Sequence, residues 1–279
     1  QALVLSTNLT TNGTSVITNV TSAITDTVAK IVIGGDFTTV SGVPSSRLAV
    51  LNPNGTVDTA GFTGFGSGAD GTVFDIRVFQ NDLTDQSTAR ILMAGAFRTI
   101  NFQDRSGIAR LNVDGSLDTA FDPGAGANDS IFALAVADSI NPLNPQPTTA
   151  NDIYLGGVFS SFNGTRRMGL ARIKGDGLLD TSFMDTAYNH FAGLTRPLST
   201  LPRNSCLAIA VESGGGVIMA GSFDRVGMSV FSRTAILNRQ NVAKIIGGAS
   251  QGPGNIEFIQ DTYTANENGG SAFVTLQRT

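Results

Sequence analysis

Charge, histidine, cysteine and tryptophan are all scarce in this 279-residue chain. Basic side chains number 18 and acidic ones 22, so only 14% of residues are charged, against roughly 25% in an average soluble domain. Without abundant Glu, Lys and Leu in heptads the chain cannot form a long coiled coil. With 41% hydrophobic residues it is too apolar to remain disordered. A net charge of -4 supplies no basic face for phosphates, which argues against a nucleic-acid partner. No apolar run approaches the roughly 18 residues of a membrane span. The first residues lack the charged start and long apolar stretch of a secretion signal, so the expectation is a mature form or an internal fragment. One cysteine, Cys206, excludes an internal disulfide framework. One histidine, His190, excludes multi-histidine metal sites and makes a catalytic triad an accident of folding. Cys206 opens an apolar run ending at Val211, and its expected role is core packing.

What is abundant is glycine, 33 residues, and much of it recurs in register. Four segments carry an apolar strand, small residues and a phenylalanine: Ile31 to Phe37, Ile91 to Phe97, Ile153 to Phe159 and Val217 to Phe223. They contain Gly34, Gly35 and Phe37; Gly95 and Phe97; Gly156, Gly157 and Phe159; Gly221 and Phe223. Fourteen residues beyond each phenylalanine stands an aliphatic residue: Leu51, Leu111, Ile173 and Leu237. Three repeats then continue alike, with turn glycines Gly55, Gly115 and Gly177, acids Asp58, Asp118 and Asp180, and Phe62, Phe121 and Phe183. A period near sixty residues held at so many places defines a repeat architecture.

The apolar runs are too short for helices and rich in β-branched residues, so they read as buried strands. Small residues at the strand end allow another backbone to approach closely, and the phenylalanine fills the space between thin layers. Asn54-Gly55, Asp114-Gly115 and Asp176-Gly177 read as hairpin turns of type I′. Further strand candidates lie upstream, at Val73 to Phe79, Ile131 to Val136 and Leu207 to Val211. The fold expected is all-β: a β-propeller-like array of four repeats over 30–247. Residues 1–29 supply a strand that completes the first blade, 248–254 form a linker, and 255–279 stand apart.

Gly-Gly after a strand, followed at a distance by Asp and an aromatic, makes each unit kelch-like. The pattern resembles the bacterial delta-60 repeat more closely, as Arg110-Leu111-Asn112-Val113-Asp114-Gly115-Ser116-Leu117-Asp118 shows. The tail, with Ile256-Glu257-Phe258-Ile259, Glu267-Asn268-Gly269-Gly270 and Ala272 to Arg278, resembles the opening two strands of a Calx-beta domain. That second resemblance implies a role for Glu267 in a calcium site that is incomplete within this chain. Together the two imply a bacterial extracellular or cell-surface protein.

Asn112, Asp114 and Asp118 invite a calcium reading, but the position of Arg110 is wrong for an EF-hand ligand. A turn accounts for the same residues, since Asn and Asp bond their own backbone. Repetition of Asp58, Asp118 and Asp180 favours a structural role over paired carboxylates for glycoside hydrolysis. Gly214-Gly215-Gly216 sits between two strands without a following Lys-Ser/Thr and reads as a hairpin turn. Asn-x-Ser/Thr sequons begin at Asn8, Asn12, Asn19, Asn54, Asn128 and Asn163. The expected function is a non-catalytic structural or assembly module of a surface protein, with no cofactor beyond possible calcium. An adhesin using loops such as Asn141 to Asn151 and Ala187 to Asn204, or a filament subunit, are the alternatives. Expected partners are further copies of the chain, other surface proteins or glycans.

Overall fold

The structure is a computed structural model that describes residues 4–7, 17–21, 30–80, 89–137, 152–183, 194–195, 204–212, 216–226, 237–245, 256–258 and 276–278. All described regular structure is β, with no helix among these residues. The sixty-residue period becomes a series of small antiparallel sheets. The first pairs Ile31–Gly34 with Leu48–Leu51. The second sets Ala89–Gly95 between Val73–Gln80 and Ile108–Asn112. The third sets Ile153–Gly157 between Ile131–Val136 and Leu170–Ile173. The fourth sets Val217–Ser222 between Ser205–Val211 and Val242–Ile245. Val4–Thr7 pairs with Ile17–Thr21, and the backbone of Val4–Thr7 lies near both Ile31–Gly34 and Val73–Gln80.

The second and third sheets bury both faces because they stack on their neighbours. Val32, Leu48 and Val50 of the first sheet share a core with Val73, Ile76 and Met93 of the second. Leu92, Ala94 and Ile108 of the second meet Ile131, Leu134 and Leu155 of the third. Ala133, Tyr154 and Leu170 of the third meet Cys206, Ile209 and Met219 of the fourth. Phe97, Phe159 and Phe223 each lie in one of these layers and are almost wholly buried. Near-continuous apolar strands follow from this two-sided burial, which also leaves few positions for charge.

The two small residues at the strand end do different work. A Cβ on Gly34 would press on Ile76 and Val73, and one on Gly156 would lie 2.7 Å from the Cys206 sulfur. The first position therefore sets the distance to the next sheet. The second faces a bulge in its own sheet: a Cβ on Gly95, Gly157 or Gly221 would collide with the carbonyl oxygen of Thr72, Ser130 or Ser205. The ladder shifts there, between Val73 and Asp75, between Ile131 and Ala133, and between Cys206 and Ala208.

The Asn-Gly and Asp-Gly turns differ from the type I′ expectation. Gly55 and Gly115 donate N–H to Asn52 and Asn112, and only the glycine has positive φ, 83° and 88°. This is a type I turn closed by a left-handed glycine, a longer hairpin loop with room for Pro53. Type I′ geometry occurs instead in a second, smaller hairpin of each unit, at Ser41-Gly42, Asn101-Phe102 and Asn163-Gly164.

The fourth repeat also has a different register from the one its spacing suggests. Leu237 lies in the small hairpin, opposite Val226. The residue facing Val217, as Leu111 faces Ile91, is Ile245. The cause is an insertion, because residues 227–236 separate Val226 from Leu237 where other units use two turn residues. Asn241, with φ 62°, then takes the left-handed place held by Gly107 and Gly169. Val211 faces Val217, and Glu212 N–H donates to the Gly216 carbonyl, so the glycine run joins two paired strands. In the tail, Ile256–Phe258 pairs with Leu276–Arg278. Glu267, the segment 22–29, the segment 246–255 and the loop Asn141 to Asn151 lie outside the described residues, as does most of Ala187 to Asn204.

Candidate functional site

The repeated acids are the obvious place to look for chemistry. Asp118 Oδ2 accepts from Nε of Arg110 at 2.8 Å and from Nε of Arg90 at 3.1 Å, while Oδ1 accepts the N–H of Ala120 at 3.0 Å. Asp180 repeats the arrangement with Arg172 at 2.6 Å, and its Oδ1 accepts the N–H and hydroxyl of Ser182. In the first unit Val50 stands in place of that arginine, and the cation comes from Lys30, 2.7 Å from Asp58. Arg110 and Arg172 also lie over the rings of Phe121 and Phe183, 4.9 and 4.8 Å from the centroids. Arg, Asp and Phe of the repeat thus form one packed cluster. The hydrogen bond from Lys30 chiefly holds the Asp58 carboxyl below its ordinary range. Burial pushes Asp118 and Asp180 upward, but their hydrogen bonds and arginines outweigh it and leave both depressed. Carboxylates so engaged cannot act as proton donors near neutral pH.

The calcium reading of Asn112, Asp114 and Asp118 meets the same obstacle. Asp114 Oδ1 accepts the N–H and hydroxyl of Ser116, Asn112 donates to the Ser116 hydroxyl, and Asp118 is taken by two arginines. Among the described residues no group of three His, Cys, Asp or Glu side chains gathers as a metal site.

Two features lie outside the repeat pattern. Asp75 is buried in an edge strand of the second sheet, where it accepts from Arg77 and, at 2.7 Å, from the Leu134 N–H of the third sheet. It joins the two sheets, and burial raises its carboxyl above the ordinary range. A lone carboxylate within Val73-Phe74-Asp75-Ile76 was its signal in the sequence. Cys206 is wholly buried against Gly156, and burial pushes its thiol up to about 12. Such a thiol is inert. Alkylation of Cys206 at neutral pH should therefore proceed only as fast as the fourth sheet opens, and rise sharply in urea; rapid native labelling would contradict its burial.

A cleft of about 410 Å³ lies between the third and fourth sheets, beside Asn128, Asp129, Ser160, Met168 and Asn204. Asn128 Oδ1 is occupied by the Ser160 and Ser161 N–H groups. The cleft offers one carboxylate, Asp129, and no nucleophile paired with a base.

Small antiparallel sheets stacked face to face, one per sixty-residue repeat, define a propeller-type repeat protein. Residues 30–60, 86–121 and 151–183 match the profile of a family described as Domain of unknown function (DUF5122) beta-propeller, which supports a propeller-type repeat. Each matched segment spans the strand, the turn and the buried acid, and the fourth repeat, with its insertion, is not among them. No curated protein and no solved structure matches the chain.

Proposed function

We propose that the chain is a non-catalytic structural and assembly module of an extracellular or cell-surface protein. On this reading its four units are propeller blades of the delta-60 type, and its tail opens a Calx-beta region. One observation supports assembly above all. The face by which the third sheet holds the fourth consists of Ala133, Ala135, Tyr154, Gly156, Leu170 and Arg172, nearly all buried. At the same register positions the fourth sheet has Ala208, Ala210, Ile218, Ala220, Val242 and Lys244, a close chemical copy. That copy is open: Val242 is 57% exposed and the adjacent Leu207 56%. An exposed apolar patch of this kind marks an interaction surface. Its occupant is a second copy of the chain. Each copy presents the same face, and Lys244 with Glu212, 2.6 Å apart, sets both charge signs on it, which suits two-fold pairing.

Light scattering across a concentration series should show self-association that Val242→Glu abolishes without lowering thermal stability. A monodisperse monomer at high concentration would overturn assembly through this face. Hydrolysis of polysaccharides that is lost on changing Asp118 or Asp180 to Asn would overturn the non-catalytic reading.

A glycan- or protein-binding adhesin is the second reading, favoured by Phe102. This side chain is 87% exposed at the tip of a small hairpin and has φ 63°, where the first and third units use glycine. Left-handed geometry costs a phenylalanine about 1 kcal/mol or more. Phe102→Gly should therefore stabilise the fold by about 1 kcal/mol in urea unfolding, while removing any binding detected on a glycan array. An unchanged array signal would count against the tip as the contact.

A further inference from the structure

Among the described residues two exposed Asn-Gly pairs occupy turns with different hydrogen bonding, and this difference bears on covalent modification. Asparagine followed by glycine can cyclise: the glycine nitrogen attacks the side-chain Cγ, a C–N bond forms, and ammonia leaves with the transferred proton. Water then opens the succinimide at either carbonyl, giving aspartate or isoaspartate. The net change is addition of water and loss of ammonia, with no oxidation or reduction. Reaction requires an accessible glycine nitrogen and a side chain that can reach it.

At Asn54-Gly55 both are restrained. The Gly55 N–H is committed to the Asn52 carbonyl at 2.9 Å. The Asn54 side-chain oxygen is held away from Gly55 by the N–H and hydroxyl of Thr56, at 3.1 and 2.7 Å. At Asn163-Gly164 the turn is of type I′, with φ 46° and 75°. Both residues are exposed, a Cβ on Gly164 would meet open space, and among the described residues no acceptor takes the Gly164 N–H. The Asn163 side-chain oxygen accepts one bond, from the Ala125 N–H at 3.2 Å, against the two shorter ones that hold Asn54. Asn101-Phe102 shares the turn type but has no glycine after the asparagine.

We propose that Asn163 is a site of spontaneous deamidation and isoaspartate formation, and that Asn54, with the same dipeptide, is protected by its turn. The consequence is specific. Isoaspartate adds a methylene to the main chain of a two-residue turn, so Phe162 and Thr165 can no longer face each other. The Asn163 N–H bond to the Gly126 carbonyl, which ties the third unit to the second, is lost with it.

The test is incubation of the full chain at mildly alkaline pH and body temperature, followed by peptide mass spectrometry. Enzymatic methylation of isoaspartyl groups gives an independent measure. Conversion at Asn163 should exceed that at Asn54 by about fivefold or more, the worth of one hydrogen bond on the attacking nitrogen. In concentrated guanidinium the two rates should converge. Gly164→Ala should slow conversion at Asn163 and leave Asn54 unchanged. Equal native rates at the two sites, or an intact Asn163 in protein whose guanidinium control converts, would overturn the proposal.

Discussion

Gly157→Ala should destabilise the protein by about 4 kcal/mol, combining overpacking with the loss of a buried hydrogen bond. The added Cβ would collide with the Ser130 carbonyl oxygen and approach Ile131 Cα and Phe159 Cδ1 to 3.0 Å. None of these can step aside cheaply. The Ser130 carbonyl accepts the Val158 N–H at 3.1 Å, and Ile131 and Phe159 belong to the core between the second and third sheets. Gly156→Ala, one residue away, gives the contrast. There the added Cβ meets the Cys206 sulfur and the Ile209 methyl, side-chain ends that can turn, and alanine already stands at that place as Ala94 and Ala220. Its cost should be about 1–2 kcal/mol. Urea unfolding of both variants measures the difference. Equal losses at 156 and 157 would show that the bulge carbonyl is not what requires the second glycine.

Sheet stacking was legible in the sequence because it depends on residues repeated at a fixed period. The strand ends, the buried phenylalanines and the hairpin between each Leu or Ile and its acid all follow from composition within a short window. The fourth register was not legible. Leu237-Asn238 resembles Leu111-Asn112, and only the strand pairing reveals that Val242–Ile245 takes that position after an insertion. Turn type was also beyond reach, since Asp-Gly suits both a type I′ turn and a type I turn closed by glycine. Loop length between paired residues decides, and pairing is a property of the fold. The acids give the sharper lesson. Asp58, Asp118 and Asp180 share one role, yet Lys30 supplies in the first unit the charge that Arg110 and Arg172 supply from the opposite strand. Two spacings are in use, 8 residues for Arg110 and Arg172 and 28 for Arg90, which Lys30 shares, and each fails in one unit, at Val50 and at Asp152. Asp75, which occurs once, had no repeat to mark it.

Asp180→Ala should cost about 3 kcal/mol, because it leaves a buried guanidinium with its main counter-charge removed. The Arg172 side chain is only 5% accessible, between the rings of Tyr154 and Phe183. Asp152 remains, but at 3.6 Å and more exposed it replaces the lost pair poorly. The substitution also removes the carboxylate that accepts the N–H and hydroxyl of Ser182. If the buried charge is the main cost, Arg172→Leu in the same chain should recover part of the loss, a coupling that a general packing defect would not produce. Acid should act along the same axis. Asp180, Asp118 and Asp58 are depressed in the folded chain, so their contribution is complete above the unfolded value near 3.9 and fades as pH falls through the lower folded values. Asp75 and Asp152 are raised and act in the opposite sense, since protonation relieves their burial. Stability of the wild type should therefore fall below about pH 4, with Asp180→Ala losing less over the same interval. Urea unfolding at neutral pH and in that acid range reads both effects. An Arg172→Leu double variant no more stable than Asp180→Ala, with an unchanged acid slope, would remove the ion pair as the source of the repeat's stability.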